Sequence, residues 1–272
     1  MSRLGQTFAR LRESRTLAAA DPVTAEPGLV AYVTAGDPDL ATSRDIVVAL
    51  ARGGADVIEI GVPFSDPIAD GPVIQQASER ALAAGSSLAA ALALVRDVRT
   101  EIETPIVLFT YVNPVMRMGT DEFVRTSAEM GVDGVLMLDL PIEESDEMHV
   151  ALEARGLDQI FLISPTTTDH RLRRAATLGR GFLYAISRLG VTGVRHAVAE
   201  TARPVVEAIR QVTPMPVALG FGLSRPEHVR ETCTYADAAV VGSALVQVIA
   251  DAAPWQAPAE AERFVRWLKG RI

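Results

Sequence analysis

Val57-Ile58-Glu59-Ile60-Gly61 is a short β-rich run that opens into the loop Val62-Pro63-Phe64-Ser65-Asp66-Pro67-Ile68-Ala69-Asp70-Gly71-Pro72. Seven other apolar runs share its form, each followed by a turn-rich loop and a helix-like stretch. They begin at Leu29 (LVAYV), Ile106 (IVLFT), Val135 (VLML), Ile160 (IFLI), Phe182 (FLYAI), Val217 (VALG) and Ala238 (AAVVG). The segments between them read as helices over 41–52, 72–102, 121–130, 143–155, 169–178, 200–212, 226–232 and 244–250, with a further helix over 258–269. Strands alternating with helices pair in parallel through crossovers, and eight such units predict a (β/α)8 TIM barrel, read as one domain over 1–272. An open doubly wound sheet is the competing fold, and the regular count of eight favours the barrel.

Two embellishments are expected. The step from the second strand to the third is long, and Gly85-Ser86 divides it into two helices, with Ser86 as the cap of the second. Leu4, Phe8 and Leu11 recur at i, i+4 and i+7, which predicts an amphipathic N-terminal helix that covers the N-terminal mouth of the barrel. The Pro/Ala-rich piece 18–28 reads as a lead-in.

Composition removes several function classes. The 272 residues are 49% hydrophobic and 22% charged, an ordinary globular balance. Net charge is −8, aromatics are 5% and no basic run occurs, so a nucleic-acid partner is not expected. No apolar stretch approaches the ~20 residues of a membrane helix, and the arginine-bearing N-terminus has no apolar segment of the secretory kind. A cytoplasmic location is expected. Cys233 is the one cysteine, which excludes a disulfide framework or a Cys-rich zinc site. Lys269 is the one lysine, near the C-terminus on the last helix, so Schiff-base chemistry and covalent pyridoxal phosphate are not expected in this chain. His149, His170, His196 and His228 form no HxH or HxxxH pair, so no metal site is expected either.

Chemistry in such a barrel sits at the C-terminal ends of the strands. Glu59 interrupts an apolar strand. Period-two alternation puts it on one face with Val57 and Gly61, opposite Ile58 and Ile60. Since the outer face packs on helices, Glu59 points inward, where burial raises its pKa toward values useful for proton transfer. A buried structural glutamate paired with an arginine is the alternative. Asp66 and Asp70 follow on the next loop, and either could face Glu59; both also fit turn positions beside proline or glycine. Gly193, Gly222 and Gly242, with Ser243, stand after strands six, seven and eight, where backbone N–H groups cradle a phosphate, or else where glycine simply caps a strand. Tyr32, Phe109, Tyr111 and Tyr184 fit either a wall for an aromatic substrate or barrel filling. Arg188, His196 and Cys233 read as surface or packing residues.

The run Glu59–Pro72 resembles the signature of tryptophan synthase α chains. The likeness continues through Tyr184–Gly193, Gly220-Phe221-Gly222 and Gly242-Ser243, and so spans nearly the whole chain. It implies a lyase subunit that reversibly cleaves indole-3-glycerol phosphate to indole and glyceraldehyde 3-phosphate, the penultimate step of L-tryptophan synthesis. Matched position by position, Glu59 is the general acid/base and Asp70 faces the indole N–H. Tyr32, Phe109, Tyr184, Thr192 and Phe221 contact substrate, while Gly193, Gly222, Gly242 and Ser243 hold phosphate. Phe109 departs from the aliphatic residue of the family pattern. The resemblance also implies a β-chain partner, two α and two β chains in the assembly, and pyridoxal phosphate in the β chain only.

The chemistry agrees with the exclusions above. Protonation of indole C3 turns the ring nitrogen into an iminium, so the substrate supplies the electron sink that a lysine or metal provides elsewhere. A stand-alone lyase releasing free indole, and a barrel that only binds a phosphorylated ligand, are the alternatives.

Overall fold

A computed structural model describes residues 1–18, 26–186, 202–220 and 222–271. Among them eight parallel strands pair in chain order and close on themselves, which settles the choice against an open sheet. They are β1 (Leu29–Thr34), β2 (Val57–Gly61), β3 (Ile106–Thr110), β4 (Gly134–Met137), β5 (Asp158–Ile163), β6 (Leu183–Ile186), β7 (Val217–Gly220) and β8 (Ala238–Val241). Closure is made by β8 on β1, with Leu29 in register with Ala239. All eight expected runs are strands.

The helices are α1 (Arg3–Ala18), α2 (Leu40–Gly53), α3 (Pro72–Ala83), α4 (Leu88–Val98), α5 (Val112–Met118), α6 (Thr120–Met130), α7 (Asp146–Glu153), α8 (Asp169–Leu178), α9 (Ala202–Val212), α10 (Pro226–Cys233), α11 (Ser243–Asp251) and α12 (Ala257–Leu268). Three details correct the sequence reading. Ser87, not Ser86, caps α4: its side chain accepts the Ala90 N–H at 3.2 Å. Gly85, at φ +84°, turns the chain so that Ser86 is buried and donates to the Ala35 carbonyl at 2.7 Å instead. The helical stretch read through to residue 102 ends at Val98. Finally, residues after Tyr111 form α5 where a loop was expected. Pro114 lies in its first turn, where a backbone N–H has no helical acceptor to lose.

Alternation along the strands separates two apolar layers. Ile58, Ile60, Ile106 and Leu108 face the helices. Val30, Val57, Val107, Leu136, Ile160 and Phe182 fill the barrel interior, with Leu4, Phe8 and Leu11 of α1 packed against them as the floor. Burial of that stripe explains why α1 covers the N-terminal mouth.

Charged side chains fasten the floor. Asp56, Asp133 and Asp237 each stand one residue before an even-numbered strand. Their carboxylates accept the first N–H of the strand before: Leu29 (3.0 Å), Ile106 (2.8 Å) and Val217 (2.8 Å). Arginines of α1 reach the same three groups, Arg10 to Asp56, Arg3 to Asp133, and Arg12 and Arg15 to Asp237. Lys269 is buried here too, with Nζ 2.7 Å from Asp56 Oδ2 and 2.8 Å from the Pro27 carbonyl. The one lysine is thus held at the N-terminal end of the barrel, opposite the loops that follow the strands.

Candidate active site

Glu59 stands on the inward face of β2 above Val57, opposite Tyr32 on β1 and Val107 on β3. It has no solvent exposure, and neither carboxylate oxygen has a hydrogen-bond partner among the described residues. Burial raises its pKa to about 8, so the group is mostly a neutral acid at neutral pH. Among the described residues, therefore, Glu59 is not the arginine-paired structural glutamate considered from sequence.

Asp70 and Asp66 part company. Asp70 is 5% exposed, and the Tyr111 hydroxyl donates to its Oδ2 at 3.0 Å. Burial lifts its pKa to about 6, although the Tyr111 hydrogen bond acts the other way. Asp70 is mostly a carboxylate at pH 7. Asp66 is exposed and accepts from the adjacent Ser65 hydroxyl at 2.7 Å. Of the two acids on this loop, Asp70 is the one turned into the protein.

The aromatic residues pack at the top of the barrel interior. Tyr32 and Phe109 meet edge to face with ring centres 5.2 Å apart. Tyr184, half-buried on β6, packs against the upper edge of the interior cluster. Each tyrosine lies over a glycine of the next strand. A β-carbon on Gly61 would come within 2.1 Å of the Tyr32 hydroxyl, and one on Gly220 within 2.5 Å of the Tyr184 hydroxyl. Sequence reasoning left Tyr111 as a possible wall residue and missed its bond to Asp70; its place just past β3, level with the loop after β2, was the one available signal.

At the seventh and eighth strand ends, Gly222 adopts φ +77°, and Gly242 is the N-cap of α11, with Ser243 its first residue. The first-turn N–H groups of α11 thus open toward the barrel mouth. Thr192, Gly193 and Phe221 lie outside the described residues, as do Arg188 and His196. Among the described residues no group of three or more His, Cys, Asp or Glu is arranged to hold a metal, and no single helix is long and apolar enough to cross a membrane.

Residues 19–268 match the family model described as tryptophan synthase alpha chain. The chain belongs to that family. It is 45% identical over 270 residues to the tryptophan synthase alpha chain of Solibacter usitatus, covering 99% of this chain and 97% of that one. Against the alpha chain of Geobacter sulfurreducens, identity is 44% over 272 residues, covering 100% and 99%. Among solved structures, a chain of Mycobacterium tuberculosis tryptophan synthase superposes with a TM-score of 0.89 at 34% identity, covering 99% and 98%. A chain from the tryptophan synthase a2b2 complex of Pyrococcus furiosus gives 0.85 at 38% identity, covering 90% and 98%. As a tryptophan synthase alpha chain, the protein is a carbon–carbon lyase of tryptophan biosynthesis acting on indole-3-glycerol phosphate.

Proposed function

We propose that the chain cleaves indole-3-glycerol phosphate with Glu59 as general acid and then general base, and with Asp70 as the carboxylate at the indole N–H. The observation that carries this reading is Glu59 itself, a fully buried carboxyl group with neither oxygen partnered among the described residues, on the inward face of β2 above Val57. Elsewhere the buried acids are engaged: Asp37 by Arg80, and Asp56, Asp133 and Asp237 by the basic residues at the floor.

In this scheme neutral Glu59 delivers its proton to indole C3, and the ring nitrogen becomes a cationic iminium. Asp70, ionised at neutral pH, accepts a hydrogen bond from N1–H that strengthens as the charge develops. Glu59, now a carboxylate, takes the proton of the hydroxyl on the adjoining side-chain carbon. The C–C bond breaks, its electron pair flows to the iminium nitrogen, and indole and the aldehyde result. One carboxyl group serves both transfers, which suits a pKa near the operating pH.

Tyr32, Phe109, Tyr184, Thr192 and Phe221 would line the indole and glycerol pocket. Gly193, Gly222, Gly242 and Ser243 would hold the phosphate. The described atoms nearest to a β-carbon on Gly242 belong to the Tyr32 side chain, at 3.5 Å or more, an ordinary contact distance that leaves the Gly242 backbone uncrowded. The open end of the barrel offers no lysine for pyridoxal phosphate, because Lys269 is committed to Asp56 at the floor. That cofactor belongs in a β chain, which would dock over the catalytic loops in an assembly of two α and two β chains in the cytoplasm and receive the indole. The test is indole release from indole-3-glycerol phosphate by the purified chain, alone and with a rising concentration of a cognate β chain. Slow release that climbs with the β chain supports the reading; full turnover alone with a flat response supports a stand-alone lyase, and no turnover in either case removes the catalytic assignment.

A further inference from the structure

Tyr111 has no part in the scheme above, yet it is the residue through which β3 grips the acid-bearing loop. It follows β3 directly and is the N-cap of α5, so its backbone is held by a strand on one side and a helix on the other. Its hydroxyl donates to Asp70 Oδ2 at 3.0 Å and accepts the Ala69 N–H at 3.1 Å. Its ring leans on Phe64, with centres 5.1 Å apart. One side chain therefore holds the loop at residues 64, 69 and 70. The other bonds hold the loop's ends or shape its turns: Val62 N–H meets the Phe109 carbonyl where β2 ends, the Gln75 amide of α3 donates to the Pro67 and Asp70 carbonyls, and Ile68 N–H and Asp70 N–H close short turns on Asp66 and Pro67. Among the described residues, the bond to the Asp70 carboxylate itself comes from Tyr111.

We propose that Tyr111 is a positioning residue for the cleavage, orienting the Asp70 carboxylate through Oδ2 so that Oδ1 meets the indole N–H. The inference rests on the assignment of Asp70 made above. A carboxylate free to rotate would present either oxygen to N1, and a misplacement of about 1 Å can cost as much as 10²-fold in rate. A hydrogen bond to the ionised form also favours ionisation, so the same contact keeps Asp70 a carboxylate despite its burial. Tyr111 does not compete for the proton, since burial and the neighbouring Asp70 hold its phenol protonated at any working pH. Among the described residues, the other titratable groups in this region are Tyr32 on β1, Glu59 on β2 and Tyr184 on β6. The tyrosines are likewise held neutral, and Glu59 is mostly neutral below pH 8.

The experiment compares steady-state cleavage by the full chain, with its β chain present, for Tyr111→Phe, Asp70→Asn and the double variant. Tyr111→Phe keeps the ring against Phe64. It should lower kcat about 10- to 100-fold with KM changed by less than about threefold, and move the acidic limb of the pH profile upward. On the Asp70→Asn background it should add nothing. Replacing Tyr111 by 3-fluorotyrosine, a stronger donor of the same shape, should move that limb downward. Unchanged kcat and limb in Tyr111→Phe, or an equal loss in both backgrounds, overturns the proposal. Full activity of Asp70→Asn would instead overturn the assignment of Asp70, and the role of Tyr111 with it.

Discussion

Tyr32 stands opposite Glu59 in the β1–β2 register, and its hydroxyl occupies the place that a β-carbon on the next inward residue of β2, Gly61, would need. The tyrosine thus lies across the end of β2, directly over the strand that carries the acid. Gly61 is required by this close approach; its backbone is ordinary strand. Gly85 is the converse, at φ +84° with no atom within 4 Å of an added β-carbon.

Gly61→Ala should therefore push the Tyr32 ring into the space proposed for indole and lower kcat/KM by at least about tenfold, as a small displacement near reacting groups does. Gly85→Ala should cost on the order of 1 kcal/mol of stability through its left-handed backbone and leave turnover unchanged. Kinetics and thermal melts of the two variants check the contrast.

Asp70→Ala should reduce cleavage by about 10²-fold or more, because the contact it offers matters most when the ring is cationic. Asp66→Ala should keep activity within about threefold, since the Asp66 side chain is exposed and, among the described residues, accepts a hydrogen bond from its neighbour Ser65 alone. Parallel assays of indole release decide whether burial has sorted the two acids correctly.

The separation of these acids was not legible in the sequence, whereas the barrel and Glu59 were. Eight apolar runs with helix-like stretches between them state the topology, since strands buried on both faces cannot alternate with polar residues. Glu59 breaks that rule on the inward face, so its position could be read from strand periodicity alone. Asp66 and Asp70 both sit in proline-flanked turns, and what divides them is Tyr111 reaching over from β3, a tertiary contact that spacing within the loop does not encode. Helix α5 was hidden for a related reason: Asn113-Pro114 has turn chemistry, and its helical state relies on Pro114 falling in the first turn and on Asp139 accepting the Val112 N–H at 2.7 Å. Ser86 and Ser87 are chemically equivalent as caps, and Gly85 decides between them by aiming Ser86 inward.

At the floor, Asp237 accepts from Arg12, Arg15, Arg210 and the Val217 N–H. Burial alone would raise its pKa, and the bonds from Arg12, Arg210 and Val217 more than reverse this, leaving it below the ordinary carboxylate value. A depressed folded pKa stabilises the protein above the unfolded value and ceases to do so as pH falls through the folded one. Asp237→Asn should lose on the order of 3 kcal/mol at pH 7, with a matching fall in Tm of roughly 6–12 °C. The deficit should shrink as the parent is taken below pH 4. An equal deficit at pH 3 and pH 7 would contradict the ionic account.

Glu59 has the opposite sign. Its folded pKa of about 8 exceeds the ordinary glutamate value of 4.5, so the folded state retains a proton that the unfolded chain gives up. Stability from this group is fully present below about pH 4.5 and declines as pH rises toward 8. Glu59→Gln should therefore be more stable than the parent at pH 8, by several degrees in Tm, and no different at pH 4. A variant that melts lower at pH 8 would mark Glu59 as a structural group.

The most direct test of the whole account is the pH dependence of kcat/KM for indole release, measured on the parent and on Glu59→Gln with the β chain present. The parent should give a bell, with an acidic limb near pH 6 for loss of the Asp70 carboxylate and a basic limb near pH 8 for loss of the Glu59 proton. Glu59→Gln should lose at least about 10³-fold at the optimum, with its basic limb gone. A flat parent profile, or a variant within tenfold of the parent that keeps both limbs, would contradict the assignment of Glu59 as the group that gives and takes the proton.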